Sequence, residues 1–359
     1  MSAQFKMTRR DLLLSLPALA VARQAFAQAG GSTLRARGLS QMTLSVPDVK
    51  RSLDFYQGLF GMPIQARQGD TLILRMGAGP QYVALTPAGA SAPSISRLGI
   101  ALENFNVDRV LKALADHGIT RDTGTGGGLA GGPMKVRVRM RGPELGGARE
   151  GTPEIFFADH DGIVVQLQDV KYAGGAGALG DVVKVEPSPT KGLLAVKDMS
   201  HFTISATDGA RSNQFYKDLF GIGFRSYQGP TAPTLAIGPT VEFLMFTGGG
   251  GAGRGGAAAA TPPPPPRPAS INHACMNMEN FNVEQIQKAL ESYGIKPRAG
   301  SGPAGPMQHY ISLRMENRGG AKEGTPELYF TDPDGLLIQL QDVSYCGGGG
   351  YLGNVCPPL

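Results

Sequence analysis

Apolar and polar residues alternate along short stretches of this chain, and a helical pattern interrupts the first of them. Residues 41–46 alternate as expected for a half-buried strand. Asp48 can cap a helix that runs to Leu59, with Gly61 as its stop. The pattern then predicts two further strands, at residues 71–76 and 81–85.

The same order of elements follows in the next part of the chain. A strand at residues 96–102 precedes a helix at residues 107–116, and Gly118 ends that helix. Three more strands are predicted, at residues 135–140, 154–158 and 163–168. Two units of the type βαβββ are therefore expected before residue 172.

Comparison of the chain with itself shows that this pair of units occurs twice. Residues 150–170 match residues 323–343 without a gap, and both segments begin Glu-Gly-Thr-Pro-Glu. The segment Glu-Asn-Phe-Asn-Val at residues 103–107 returns at residues 279–283. A repeat of this length indicates a duplicated domain.

The duplication predicts an α+β protein with two tandem domains, each built from paired βαβββ units that form a mixed sheet. At 359 residues the chain is long enough to bury two such cores. We expect the domains at residues 38–172 and 198–345, with a linker at residues 173–197 and a glycine-rich tail at residues 346–359.

Glycine and proline, at 52 and 27 residues, are concentrated in a few tracts rather than spread evenly. Residues 247–270 combine a Gly/Ala tract with a proline run at residues 262–266. This composition cannot build a core and predicts an exposed loop with a polyproline segment. Its role is open between a lid over a site, a contact for a partner and an inert insertion.

The first 27 residues have the pattern of an export signal. Arg9 and Arg10 precede a short apolar run, and residues 25–27, Ala-Phe-Ala, suit cleavage. The paired arginines are typical of a twin-arginine signal, and an ordinary secretory signal is the alternative. The run is too short to span a bilayer, so we expect a periplasmic or extracellular protein without a transmembrane segment in its mature form.

Charge and cysteine content add two expectations. The formal net charge is +5, and no basic stripe with interleaved aromatic residues is present, so nucleic acid is not an expected partner. Cys346 and Cys356 enclose a glycine-rich segment, and in an oxidising compartment they can form a disulfide or stay unpaired. Cys275 would remain free.

Polar residues share one face on three predicted strands of the second domain, because residues of one parity point to the same side of a sheet. Their apolar neighbours must face the helices. The polar sets are His201 with Thr203, then His273 with Cys275 and Asn277, and finally Gln339 with Gln341.

Two histidines on separate strands with side chains on one face suggest a metal site. Neutral imidazole nitrogen suits Fe(II), Mn(II), Ni(II) or Zn(II), and such a site requires a third ligand. The alternative is that His201 and His273 are buried polar residues satisfied by hydrogen bonds.

The doubled βαβββ unit, the Phe-Tyr pair at residues 55–56 and 215–216, and the Asp-Pro-Asp-Gly turn at residues 332–335 resemble the vicinal oxygen chelate superfamily. This superfamily includes glyoxalase I, bleomycin-resistance proteins and extradiol ring-cleaving dioxygenases. The resemblance covers nearly the whole chain after the signal. It implies that each domain forms a cupped sheet, and that the C-terminal cup holds a metal ion.

The resemblance also implies roles for individual residues. His201 and His273 match the two metal-binding histidines, and Gln339 stands where the family has a glutamate ligand. Glu242 is a candidate replacement ligand, in the strand where glyoxalase I supplies a glutamate. Tyr329 matches a tyrosine that hydrogen-bonds the substrate in extradiol dioxygenases. The family's acid–base histidine has no counterpart, and His309 is the candidate substitute.

The first domain lacks most of these residues. Aligned with the second copy, it carries Gln41 for His201, Val83 for Glu242, Arg97 for His273 and Phe156 for Tyr329. Gln166 matches Gln339. This difference is typical of a two-domain enzyme with one site. Arg97 and Gln41 can bind an anion or a carbonyl group, or serve packing alone.

The leading hypothesis is a metal-dependent enzyme, similar to extradiol dioxygenases or glyoxalases, that acts on a small molecule with vicinal oxygens. One divalent ion is expected, with Fe(II) favoured over Mn, Ni and Zn. Thr203, Asn277 and Gln341 are the candidate substrate-binding residues. The alternative is a metal-free protein of the same fold that sequesters a small molecule. The substrate and the oligomeric state stay open.

Overall fold

A computed structural model describes residues 33–124, 128–229, 232–248 and 268–358. The predicted export signal and most of the loop at residues 247–270 lie outside these residues. The first domain contains, in chain order, β1 (Ala36–Val46), α1 (Val49–Phe60), β2 (Ile64–Gln68), β3 (Thr71–Arg75), β4 (Tyr82–Pro87), β5 (Ser94–Leu102), α2 (Val107–Asp116), β6 (Thr120–Arg121), β7 (Lys135–Arg141), β8 (Thr152–Ala158) and β9 (Val164–Asp169).

The second domain repeats this order element by element. It contains β10 (Val196–Ser205), α3 (Gly209–Phe220), β11 (Phe224–Tyr227), β12 (Pro233–Ala236), β13 (Phe243–Thr247), β14 (Ser270–Met278), α4 (Val283–Ser292), β15 (Lys296–Pro297), β16 (Gln308–Arg314), β17 (Thr325–Thr331) and β18 (Leu337–Asp342). Among the described residues, no helix is both long and apolar enough to cross a membrane.

The helix boundaries follow from the capping residues. The Asp48 side chain accepts a hydrogen bond from the backbone N–H of Arg51 at 2.9 Å, and Gly61 ends α1 in the left-handed conformation at φ 66°. The prediction of this helix is confirmed, as is that of α2 at residues 107–116. The sequence pattern missed the short strands β2 and β6, which have too few residues for a clear period.

Within the described residues, each domain forms one nine-stranded mixed sheet. The first sheet has the order β2-β3-β4-β1-β5-β9-β8-β7-β6, and the second has the equivalent order β11-β12-β13-β10-β14-β18-β17-β16-β15. In each, the first strand of the domain pairs parallel to one neighbour and antiparallel to the other. The prediction of an α+β fold with two tandem domains of paired βαβββ units is therefore confirmed.

The apolar side chains of both domains join in one continuous hydrophobic core. The helices α1 and α3 make reciprocal contacts with the opposite domain. Tyr56 of α1 donates a hydrogen bond to Asp332 at 3.3 Å, and Tyr216 of α3 donates one to Asp159 at 3.2 Å. The two aspartates are equivalent turn residues, so the domains pack with approximate two-fold symmetry.

The C-terminal tail has the same backbone path as the start of the predicted linker. Ala173 N–H donates to Gly180 O at 3.0 Å, and Cys346 N–H donates to Gly353 O at 3.0 Å. Cys346 and Cys356 form a disulfide in this turn, and Cys275 is free and buried. The duplicated unit therefore extends past residue 173, further than its predicted end.

Candidate metal centre in the C-terminal cup

Strand register brings five polar residues of the second sheet onto one face, which is called the C-terminal cup below. His201 on β10 is opposite Cys275 on β14, and Cys275 is opposite Gln339 on β18. Gln339 is in turn opposite Tyr329 on β17. His273 is two residues from Cys275 on the same side of β14, so its side chain lies next to this row.

His201 is buried and held on several sides. Its ring stacks on Phe243 with 4.3 Å between the ring centroids. Its Nδ1 atom lies 3.1 Å from Ser200 Oγ, and its Nε2 atom lies 3.2 Å from Gln339 Oε1. Both ring nitrogens therefore have a polar neighbour, and Nε2 is directed at the amide on β18.

His273 lies at an angle to His201, with 5.6 Å between the ring centroids. Its Nδ1 atom lies 2.8 Å from Asn272 Oδ1. Its Nε2 atom is buried and makes no hydrogen bond of normal length to any described residue, and the same is true of Gln339 Nε2. Buried polar atoms without partners are uncommon and call for an explanation such as a bound ion or water.

Burial controls the charge of both histidines. It lowers the pKa of His201 well below its usual range, and the neighbouring His273 lowers it further. Burial also lowers the pKa of His273 to about 4. Both imidazoles are therefore neutral at pH 7, which is the form that binds a metal ion.

The donor set fits a divalent ion. Two neutral imidazoles and one amide oxygen supply two nitrogen ligands and one oxygen ligand, which suits a borderline metal. Within the described ranges, no group of three or more His, Cys, Asp or Glu side chains forms a metal cluster. His201, His273 and Gln339 together would thus bind an ion without a charged ligand.

Glu242 does not face this cup, which contradicts its expected place among the ligands. Its Oε1 atom accepts a hydrogen bond from Gln81 Nε2 at 3.0 Å, and its Oε2 atom accepts one from the backbone N–H of Leu39. Both partners belong to the first domain. His201 pairs with Phe243, and its equivalent Gln41 pairs with Tyr82. Glu242, the residue before Phe243, is therefore equivalent to Gln81 and not to Val83.

His309 lies on the opposite face of its strand from the cup, so its expected catalytic place was wrong. Its Nε2 atom is 3.3 Å from a carboxylate oxygen of Glu291 on helix α4. The next residue, Tyr310, faces the cup and stacks on Tyr329 with 5.0 Å between the ring centroids. Tyr329 is thus in the expected area, with its ring 5.3 Å from that of His273.

The three candidate substrate-binding residues are buried, and two have partners within the protein. Asn277 Nδ2 donates to Asp198 Oδ1 at 2.7 Å, and Gln341 Nε2 donates to the backbone oxygen of Pro326 at 3.2 Å. Thr203 is next to His273 across the strand pair. Thr203 is therefore the best placed of the three to reach a ligand at the histidines.

Sequence reasoning missed a buried ionic cluster beside the histidines. Arg314 Nε donates to Glu327 Oε1 at 2.9 Å, and the Tyr345 hydroxyl donates to the same oxygen at 3.0 Å. The ring of Tyr345 lies 5.6 Å from that of His201. The sequence repeat could have revealed it, because the same three residue types recur in the first copy, where Arg141, Glu154 and Tyr172 form the same cluster.

In the first domain, side-chain hydrogen bonds fill the position equivalent to His201. Gln41 Nε2 donates to Gln166 Oε1 at 2.7 Å, and the Thr43 hydroxyl donates to Gln41 Oε1 at 2.6 Å. Arg97 pairs with Thr43 in the same register in which His273 pairs with Thr203. The first cup therefore has a guanidinium in place of the second imidazole.

Solved structures with a similar fold include two ring dioxygenases and a Mn(II)-bound glyoxalase. A substrate complex of homoprotocatechuate 2,3-dioxygenase from Brevibacterium fuscum has a TM-score of 0.57 at 16% identity, over 88% of this chain and 82% of that one. A structure of catechol 2,3-dioxygenase has a TM-score of 0.53 at 14% identity, over 91% of both chains. The Mn(II)-bound glyoxalase from Novosphingobium aromaticivorans has a TM-score of 0.52 at 13% identity, over 86% of this chain and 82% of that one.

A search of curated proteins gives no match for this sequence. The family model described as the Glyoxalase/Bleomycin resistance protein/Dioxygenase superfamily matches the chain twice, at residues 38–167 and 198–340. These two segments coincide with the two sheets and make up well over half of the sequence. The chain therefore belongs to the Glyoxalase/Bleomycin resistance protein/Dioxygenase superfamily.

Proposed function

We propose that this protein is a metal-dependent enzyme that acts on a small molecule with two vicinal oxygens, as extradiol dioxygenases and glyoxalases do. The observation that carries the proposal is the pair of buried, neutral imidazoles that both lie near Gln339, with His273 Nε2 making no hydrogen bond of normal length to any described residue. We also propose that the enzyme is exported, on the basis of the N-terminal sequence pattern.

His201, His273 and Gln339 would hold one divalent ion, with Fe(II) favoured and Mn, Ni or Zn as alternatives. When bound, the ion supplies Lewis acidity that lowers the pKa of a chelated substrate hydroxyl. Because the three protein ligands are neutral, the full charge of the ion is available to an anionic substrate oxygen.

Tyr329 is the residue best placed to orient the substrate. Its ring lies at 90° to that of His273, and burial raises the pKa of its hydroxyl well above the usual range. The hydroxyl therefore keeps its proton and can donate a hydrogen bond to a substrate oxygen. Within the protein, that hydroxyl donates to Glu327 Oε2 at 3.4 Å.

Aromatic side chains limit access of water to the site. Phe243 covers one face of His201, and Tyr345 lies on another side, with both residues fully buried. Exclusion of water strengthens the electrostatic interactions of a charged substrate oxygen with its surroundings. Thr203 adds a hydroxyl near His273 for substrate contact.

The test is metal analysis combined with two activity assays. Freshly isolated protein is expected to contain about one divalent ion per chain. Anaerobic loading with Fe(II) or Mn(II), followed by assay with catechols under oxygen and with a hemithioacetal, separates the dioxygenase from the glyoxalase activity. The double change His201→Ala, His273→Ala should abolish both metal content and activity.

A matched control is available in the first domain. His117 caps the C-terminal end of α2, where its Nδ1 atom lies 2.8 Å from Ala113 O, outside either cup. His117→Ala should therefore leave metal content unchanged. Equal metal loss in this variant and in the double variant would show that the ion is bound non-specifically, and the proposal would be wrong.

One observation favours a second candidate, a metal-free protein that sequesters a small molecule. The position of Gln339 between the histidines and Tyr329 leaves the cup without a carboxylate ligand, and a neutral set binds ions less strongly than a charged one. Under this alternative, the polar cup binds its ligand by hydrogen bonds alone. Ligand affinity that is the same with and without a chelator would favour it.

A further inference from the structure

The cup of the N-terminal domain contains a cavity of about 340 Å³. At about 30 Å³ per water molecule, this space equals roughly ten waters, which is near the lower end of the range for small-molecule sites. The cavity is lined by the hydroxyls of Thr71, Thr86 and Ser96, by the apolar side chains of Leu129 and Leu145, and by Arg97.

Arg97 differs from the other arginines that line this cavity. Arg139 Nε and Arg141 Nε each donate to Glu154 at 2.7 Å, so that carboxylate neutralises part of their charge. Glu154 also accepts a hydrogen bond from Tyr172. Its oxygens are therefore committed to other donors, and they form no ion pair with Arg97.

The guanidinium of Arg97 is buried, and no carboxylate of the described residues forms an ion pair with it. Only 8% of the residue is exposed, and its buried Nε atom has no hydrogen-bond partner in the part of the chain that the structure describes. Its central carbon lies 5.5 Å from the centroid of the Phe156 ring, which supports one face of the group. Burial lowers the pKa of Arg97, which reflects the poor solvation of its charge.

We propose that the N-terminal cup binds a small organic carboxylate, with Arg97 as the receptor for the anion. A planar guanidinium presents parallel N–H donors that match the two oxygens of a carboxylate. Thr86 also lines the cavity, and its hydroxyl, which accepts a hydrogen bond from Thr71 at 2.9 Å, keeps its own proton to donate to the anion. Leu129 and Leu145 provide contacts for the apolar part of the ligand.

The register supports this assignment independently of the cavity. Arg97 occupies the position of His273, so the first cup carries a permanent cation at the place where the second cup has a metal-type ligand. Both cups would then attract negative oxygen, one through an ion and the other through a guanidinium. This inference does not depend on the proposed enzymatic function of the C-terminal cup.

The test is calorimetric titration of the chelator-treated protein with benzoate, its neutral analogue benzamide and inorganic phosphate. Benzoate should bind with a stoichiometry of one and at least tenfold more tightly than benzamide. The variant His201→Ala, His273→Ala should bind benzoate unchanged, which separates this site from the C-terminal cup. Phosphate binding as tight as that of benzoate would overturn the carboxylate assignment.

Arg97→Gln should weaken benzoate binding at least tenfold, whereas Arg121→Gln, on the exposed strand β6, should leave it unchanged. Arg97→Lys keeps the positive charge but loses the parallel N–H donors of the guanidinium, and should give an intermediate affinity for benzoate. Removal of an unpaired buried cation should raise the melting temperature of Arg97→Gln without ligand. A lower melting temperature together with unchanged benzoate binding would assign Arg97 to packing and overturn the proposal.

Discussion

Glu242 and Gln81 occupy equivalent positions in the two domains and hydrogen-bond to each other across the interface. Gln81 Nε2 donates to Glu242 Oε1 at 3.0 Å, while Gln81 Oε1 accepts from the backbone N–H of Met199 at 2.7 Å. In the reciprocal contact, Glu242 Oε2 accepts from Leu39 N–H. A Cβ atom at Gly38 would lie 2.8 Å from Oε2 of this carboxylate, so a larger residue there would push the Glu242 side chain away from its present position.

The first prediction concerns the pH dependence of stability due to Glu242. Burial raises its pKa to about 8, so the folded state keeps a proton that the unfolded state loses near pH 4.5. The contribution to stability is therefore full below pH 4.5 and falls as the pH rises towards 8, by on the order of 4 kcal/mol. Urea denaturation at pH 5 and pH 8 measures this difference in the free energy of unfolding.

Glu242→Gln should remove this pH dependence of the unfolding free energy, because an amide does not titrate. It should also cost about 1 kcal/mol at pH 5, since the amide N–H₂ would face the N–H of Leu39 or the amide of Gln81. Glu279→Gln is the control, because Glu279 pairs with Lys197 at the surface. If the unfolding free energy changes between pH 5 and pH 8 by the same amount in wild type and in Glu242→Gln, the expectation is contradicted.

The second prediction concerns acid destabilisation by His273. Burial lowers its pKa to about 4, below the value near 6.5 in the unfolded chain. The unfolded state therefore binds the proton first, and stability falls as the pH drops from 6.5 towards 4. The loss for this residue is roughly 3 kcal/mol in metal-free protein. His273→Gln should show a smaller loss in the same urea titrations, and an unchanged loss would assign the effect to other groups.

The sequence predicted the fold well because the fold depends on patterns that are local and repeated. Capping by Asp48 and Gly61 and the duplicated segment at residues 323–343 can both be recognised without coordinates. The face of Glu242 could not be predicted, because Glu242 precedes β13 and a one-residue error in alignment reverses its direction. Its hydrogen-bond partners are 161 and 203 residues away and belong to the other domain.

The third prediction concerns the disulfide of the C-terminal turn. The first copy has the same turn without cysteine, with Ala173 at the place of Cys346. The double change Cys346→Ala, Cys356→Val should therefore fold, and should lose about 2–3 kcal/mol through the greater entropy of the open loop in the unfolded state. Denaturation of wild type with and without reductant gives the same comparison. A variant that fails to fold would show that the turn depends on the disulfide.

The fourth prediction tests the candidate metal centre by restoring a charge. Gln339→Glu would place a carboxylate 3.2 Å from the Nε2 atom of His201, at the position now held by the amide oxygen. A carboxylate adds Coulombic attraction to a divalent ion, so metal affinity should increase at least tenfold. In metal-free protein the new buried acid should lower stability, because its charge has no partner.

The matched control is Gln166→Glu in the first cup. Gln166 has the same register as Gln339, but its neighbour is Gln41 rather than a histidine. This variant should gain no metal affinity while suffering a similar loss of stability. Competition titration with a chromogenic chelator measures the affinity of both variants. If Gln339→Glu binds metal no more tightly than wild type, residue 339 is not a ligand, and the imidazoles would have to share an ion without it.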